Sequence, residues 1–452
     1  MEGLDEALYA VGAGERPAPC DRFAATIDPE WITRALALSG TASVRRRKLP
    51  AADVVWLVIG MGLFRDRPIA QIVDDLGLVL PGADGARRHV TNGAVVRARD
   101  KVGPEPLARL FAHTAATWTA ETLAIARWRD LAVFGLDGTT LRVPDTAAND
   151  AAFGRPGISR GEIAGYPQLR LVTLMVLRSR VLVAAAFGPY ATSEAALAEP
   201  LWATLPVRSL VLLDRGFAAY ARFHQLGAAG EERHWLIRAR DGQWALQWSV
   251  HRRLGRRDAL VDLRASKRSR LRHPDLPRTL RARAIEVRRR GFRPSTLLTS
   301  LLDPHAYPAA EVARLYHERW ELEVAFDEVK THTLERVETL RSQSPERIAQ
   351  EVWGLLLAYN LVRRALARAA PDAGVPPNRL SYRHAVLVLR TFWLTTPLTA
   401  PATLPRRLAQ LYDDLRLVVL PPRRTRRYPR AVKLKFSAYT RHRPQQRTRR
   451  AK

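Results

Sequence analysis

LAVFGLDGTTLRV, residues 131–143, is the stretch on which the fold turns. It is apolar and rich in strand-forming residues, yet it carries an Asp in its middle, at 137. Downstream come four more runs of strand length bounded by Gly, Pro and polar residues. They are LRLVTLMVL (169–177), RVLVAAAF (180–187), SLVLLD (209–214) and HWLIRAR (234–240). A helix-forming stretch, 193–204, separates the third of the five runs from the fourth. Three strands, a helix, then two strands is the order of a ribonuclease-H-like sheet, so the expected class is α/β. Residues 241–291 break the pattern with dense Arg, Trp244 and Trp248. Alternating segments there, such as RTLRARAIEVRRR, read as exposed strands of a β-rich insertion. FRPSTLLTSLLD then returns to strand, and Pro308 opens a long helix to about His332.

Before the sheet, residues 1–125 read as all-helical. Asp28-Pro29-Glu30 supplies an N-cap with Pro at the first helical position, and Gly40 closes that helix. The run Val54–Phe64 is too short to span a bilayer and reads as a buried helix. Helices are expected over 51–64, 68–76 and 92–102, with the basic run Arg45–Lys48 before the first and Thr91 capping the last. Arg97 and Arg99 on the last make the group similar to a helix-turn-helix arrangement; a plain helical core is the competing reading. After the sheet, helices are expected over 346–370 and 381–394. The boundaries that follow are 1–125, 128–370 and 371–452.

Composition narrows the partner. There are 73 Lys and Arg against 44 Asp and Glu, a net charge of +29 over 452 residues. Codon bias explains Arg over Lys but not basic over acidic. Such an excess points to a polyanion, nucleic acid first and an anionic membrane surface second. Residues 421–452 hold 13 Lys or Arg and no acid, as an arm on a polyanion would. The lone Cys20 excludes an intramolecular disulfide and any Cys-based zinc finger. With no signal peptide and no spanning segment, a cytoplasmic, nucleoid-associated location is expected.

The chemistry lies in three carboxylates. Asp137 interrupts one hydrophobic strand and Asp214 ends another, and a carboxylate there is costly unless paired or bound to a metal. Two strands so ended bring two acids together, where repulsion favours a divalent cation. Alone, either Asp also reads as a turn or cap residue. The third element is YHERWELEVAFDEVK, 316–330. On an ideal helix Tyr316, Arg319, Glu323 and Lys330 fall at about 0°, 300°, 340° and 320°, one narrow sector. A surface ladder of charge pairs has the same spacing, and Asp327, at about 20°, is a rival acid.

The spacing Y-x2-R-x3-E-x6-K is met by Tyr316, Arg319, Glu323 and Lys330 without a gap. With Asp137-Gly138-Thr139, Asp214-Arg215-Gly216-Phe217 and the insertion between second Asp and Glu, the chain resembles bacterial insertion-sequence DDE transposases of the insertion-sequence-four group. CDRFAATIDPEWI near the start and RRYPRAVKLKFSAY near the end resemble that group too. The resemblance implies a ribonuclease-H-like core preceded by an all-α DNA-binding domain. It implies a catalytic triad of Asp137, Asp214 and Glu323 holding two Mg²⁺ or Mn²⁺ ions, with Tyr316, Arg319 and Lys330 on DNA phosphates. Two metals suit in-line displacement at a phosphodiester because they stabilise the attacking and leaving oxygens. Trp244 or Trp248 would stack on a flipped base during hairpin formation, with a core Trp as the alternative. The implied activity is binding of element ends, strand cleavage and strand transfer in DNA transposition. The implied partners are double-stranded DNA, as terminal inverted repeats and target, and a second copy in a synaptic homodimer. Open alternatives are a nuclease without strand transfer and a non-catalytic DNA-binding derivative.

Overall fold

The computed structural model describes residues 26–41, 49–79, 89–157, 164–228, 232–240, 246–289, 293–334, 339–396 and 401–422. Arg45–Lys48, Trp244 and the basic tail from 423 onward lie outside these.

Among the described residues, five helices precede the sheet: α1 Pro29–Leu38, α2 Ala51–Leu63, α3 Ile69–Asp75, α4 Asn92–Val102 and α5 Glu105–Leu123. Their starts are written locally. Asp28 Oδ1 accepts from the Glu30 N–H at 2.9 Å, and Thr91 Oγ1 accepts from Ala94 N–H at 3.3 Å, each satisfying a donor the helix leaves open. α2 is buried on every side, Asp53 included, as a helix apolar almost all round must be. Arg99, expected to face a nucleic acid, is instead buried. Its guanidinium donates to Gln350 Oε1 at 2.7 Å and Ser342 Oγ at 3.0 Å. Its neighbour Arg97 is exposed.

A ten-stranded mixed sheet follows, with β1 Arg127–Trp128, β2 Leu131–Arg142, α6 Ala147–Phe153, β3 Gln168–Val176, β4 Leu182–Pro189, α7 Glu194–Ala198, β5 Ser209–Leu213, α8 Tyr220–Ala228 and β6 Arg233–Arg238. Then come β7 Gln247–Gly255, β8 Asp258–Arg264, α9 Lys267–Arg272, β9 Thr279–Val287 and β10 Ser295–Thr299. The order is β4-β3-β2-β5-β6-β10-β9-β8-β7, with β1 on β2. Only β2–β5 and β5–β6 are parallel. The first five strands therefore have the expected ribonuclease-H-like order. The insertion is not a separate sheet: β9 pairs with both β8 and β10, and β10 with β6. Nor is β9 exposed. Ala282, Arg283 and Ile285 are buried, and Arg283 is bound by Asp258, its Nε at 2.8 Å.

Alternation along the strands splits the interior into two cores. Val133, Leu171, Leu210, Leu212 and Leu236 face one. Phe134, Leu136, Val172, Val211, Leu213 and Trp235 face the other, where Phe223 of α8 stacks on Trp235 at 3.9 Å between ring centres. The first core is the larger. It joins the sheet to α1–α5 and to the helices that close the chain: α10 Ala309–Tyr316, α11 Trp320–Asp327, α12 Pro345–Ala369, α13 Tyr382–Thr395 and α14 Leu404–Arg416. α12 lies along α2, and only glycine permits the approach: a Cβ on Gly354 would stand 2.5 Å from the Val58 carbonyl oxygen.

Candidate active site

Asp137 lies in β2 where its parallel partner ends. Leu136 is in register with Leu213, the last residue of β5, so Asp214 follows beside Asp137. Beyond this point β2 continues paired to β3, with one further bridge from Arg142 to Thr339. The two acids thus stand at a strand end between parallel neighbours, where open α/β sheets hold their ligands.

The third acid arrives on a helix seated over the same face. Gly135, two residues before Asp137, makes the seat: a Cβ there would stand 2.7 Å from Leu177 Cδ2 and 2.8 Å from Leu322 Cδ1. Leu322 presses on β2, and Glu323 follows it. The expected single helix from 308 to 332 is not uniform. Between α10 and α11 lies a 3₁₀ turn, His317–Arg319, and α11 continues into a π-helical segment, Glu328–Thr333. The constant angle per residue assumed for Lys330 does not hold across that wider turn. Lys330 sits within it, half-buried, and π segments often occur at functional sites.

Arg319 joins the acids. Its Nη2 donates to Glu323 Oε1 at 2.9 Å, and its Nη1 stands 3.6 Å from Asp137 Oδ2. Asp214 also bears on it by charge. Burial opposes the guanidinium charge, but Tyr316 and the three acids together raise its affinity for the proton. Tyr316 donates its hydroxyl hydrogen to the Leu213 carbonyl at 3.1 Å, tying the helix to the end of β5. To donate to a phosphate it must leave that partner. Glu323 and Asp327 are both exposed, and Asp327 is bonded to Thr331 Oγ1 at 2.8 Å.

Asp137 is the perturbed group. Burial pushes its carboxyl up to about 6, against the opposing Gly138 N–H and Arg319, and the charges of Asp214 and Glu194 push the same way. The Gly138 N–H donates to Asp137 Oδ1 at 2.8 Å.

Two groups of residues escaped the sequence reading. Glu194 lies against Gly138, where a Cβ would come within 2.6 Å of its carboxyl carbon, and Arg170 holds it at 3.2 Å. The turn between β3 and β4 clamps the signature helix. Arg178 makes two bonds of 3.0 Å to Glu318, and buried Arg180 binds Glu321, its Nε at 2.8 Å, and Glu328. Glu328 is bound in turn by Arg363 and by the Tyr359 hydroxyl at 3.2 Å. Glu321 and Glu328 are seven residues apart and share a helix face, the one signal that could have paired them.

Of the two Trp singled out, Trp248 is partly buried in β7, packed against the second core.

Residues 128–361 match the transposase DDE domain family, and residues 17–112 match the family described as insertion element 4 transposase N-terminal. The chain is 40% identical over 409 residues to transposase InsG for insertion sequence element IS4 of Escherichia coli (strain K12), covering 90% of each. The chain belongs to the DDE transposases. The putative transposase InsZ of the same strain is 36% identical over 223 residues, 49% of this chain and 73% of that protein. A solved structure, the piggyBac transposase synaptic complex with hairpin DNA, matches with TM-score 0.41 and 12% identity, over 87% of this chain and 82% of that one.

DDE transposases depend on divalent metal, and the donor chemistry here suits it. Asp137 and Asp214 lie side by side, and Glu323 is joined to Asp137 through the Arg319 guanidinium; these are hard oxygen donors, one of them hindered from ionising. Among the described residues no three acids or His are gathered closely enough to grip an ion as they stand. Arg319 occupies the space between Asp137 and Glu323.

Proposed function

We propose that this DDE transposase cuts and joins DNA at the site formed by Asp137, Asp214 and Glu323, which hold two Mg²⁺ or Mn²⁺ ions. The observation that carries the reading is the placing of Asp137 beside Asp214 at adjacent parallel strand ends, with Glu323 linked to Asp137 through one guanidinium. Bound cations would activate the attacking hydroxyl and stabilise the leaving oxygen. The chain's own residues orient the phosphodiester. Arg319 and Lys330 bind phosphate oxygens beside the scissile bond, and Tyr316 donates to another once it releases Leu213. The N-terminal region, 1–125, reads element ends; 128–370 carries the chemistry, with 241–291 inserted; and 371–452 adds helices and a basic arm. A homodimer brings two ends together. The described residues include no helix long and apolar enough to cross a membrane, and a nucleoid-associated cytoplasmic location suits a DNA substrate. Trp248 is the stacking candidate within the described residues, and Trp244 the other.

The test is strand cleavage and joining on duplexes carrying the inverted repeats that flank the gene. Products joined through a free 3′-hydroxyl support the reading. Cleavage without joining reduces the protein to a nuclease.

A further inference from the structure

Two acids side by side at a strand end, with a third on the helix above them, repel one another unless a positive charge stands among them or one keeps its proton. In the metal-free chain that charge is Arg319, which donates to Glu323 at 2.9 Å, stands 3.6 Å from Asp137 and feels Asp214. Its reach is set by the 3₁₀ turn at His317–Arg319, immediately before α11, and by Tyr316, bonded to Leu213 just ahead of Asp214. Its side chain is only 17% exposed, so the guanidinium lies within the cleft and not over solvent.

We propose that Arg319 is a built-in counter-ion that competes with divalent cations for Asp137 and Glu323, so that metal binds fully only when DNA draws the guanidinium away. This rests on the assignment of the three acids as metal ligands. A guanidinium between two carboxylates takes up their lone pairs and repels an entering cation. A phosphate offers it an equally good, planar two-point partner. Once Arg319 turns to phosphate, Asp137 and Glu323 are released to face Asp214 without a fixed cation between them. Linkage makes the effect reciprocal: DNA raises metal affinity and metal raises DNA affinity by the same factor. Arg319 thereby restrains a metal-loaded site from assembling away from its substrate. Lys330, in the π segment beyond α11, carries the same unit charge in the same signature, so its removal serves as the control for general charge.

The experiment titrates the full chain with Mn²⁺ and follows free Mn²⁺ by electron paramagnetic resonance, without DNA. Arg319→Gln should bind Mn²⁺ roughly tenfold tighter than the wild type, since a unit charge within about 4 Å of the site is removed. Arg319→Lys should stay near wild type, and Lys330→Gln should gain much less than Arg319→Gln. Adding a short DNA duplex should tighten Mn²⁺ binding in the wild type but change little in Arg319→Gln. Equal or weaker binding by Arg319→Gln, or an equal gain in Lys330→Gln, overturns the proposal. Should Arg319→Gln not fold, the wild-type measurement decides: no tightening by DNA overturns it. Asp137→Asn separates the layers. If it leaves Mn²⁺ binding unchanged in both backgrounds, the assignment of the ligands itself has failed.

Discussion

Asp137 is held in its cleft at a cost that its ionisation exposes. Its carboxyl is pushed up to about 6, chiefly by burial, so the folded chain holds a proton there that the unfolded chain has already released. Stability from this group is therefore full below the ordinary carboxylate range and is lost as pH rises to about 6. Asp137→Asn should raise the metal-free melting point at pH 7.5, by the equivalent of roughly 2 kcal/mol, and give no advantage at pH 3.5. Thermal melts at both values check this. Asp137→Ala, Asp214→Ala and Glu323→Ala should each lose at least about a thousandfold of strand cleavage while keeping DNA affinity, most of which comes from phosphate contacts. Asp327→Ala should be mild, and an inactive Asp327→Ala beside an active Glu323→Ala would reassign the third acid. Asp137 and Asp214 stand out in the sequence because a carboxylate in or at the end of an apolar strand needs a reason. Spacing could not reveal where side chains point. Arg99 and Arg97 look alike in the sequence, yet one is bonded inward to Gln350 and the other is exposed.

The signature helix works as an element because three others hold it. Gly135 gives it a floor, Tyr316 ties it to β5, and the β3–β4 turn grips it through Arg178 and Arg180. Gly135→Val should cost about 1–3 kcal/mol through overpacking against Leu177 and Leu322, and cleavage should fall further than stability as Glu323 lifts from Asp137. Urea melts and cleavage rates on one preparation compare the two. Arg180→Met strips the partner from buried Glu321 and from one side of Glu328, and breaking such a pair costs about 3–5 kcal/mol. A melting point unchanged by Arg180→Met would mean that the clamp holds nothing. The helix was legible from its capping Pro308 and apolar spacing, and its ends fell close to expectation. Its 3₁₀ and π turns were not, since the turn type answers to contacts with Arg180 and Tyr382 that come from remote parts of the chain. For the same reason β9, dense in Arg, read as exposed although its pairing with β8 and β10 buries Arg283.

At the scale of the molecule, charge and connectivity dominate. A net charge of +29 implies that DNA binding releases many counterions, so affinity should fall steeply between 50 and 200 mM salt, by a factor on the order of 10³ or more. Deleting residues 421–452 should flatten that slope, and a binding constant indifferent to salt would contradict the electrostatic reading. Trp248→Ala should spare the first nick and slow any later hairpin step if the ring stacks on a flipped base. A lowered melting point with uniform loss at every step would make it core. The order of strands β2 to β6 was legible because each run carried its own turn signals. The continuation of the sheet through the insertion was not, because β10's return to β6 depends on pairing between distant segments.

The packing of α2 against α12 across Gly354 has a consequence for synthesis. On the ribosome, the largely apolar helix at 51–63 emerges long before residues 345–369, its partner, exist. Until then the face that meets α12 has no native cover, and long-range closure is slow to reward the chain for what it has already made. Nascent chains stalled before residue 345 should therefore bind holdase chaperones, and those released beyond 370 should let go. A gene broken before residue 345 leaves α2 without α12, so its truncated product should stay bound to chaperones and be degraded, not accumulate.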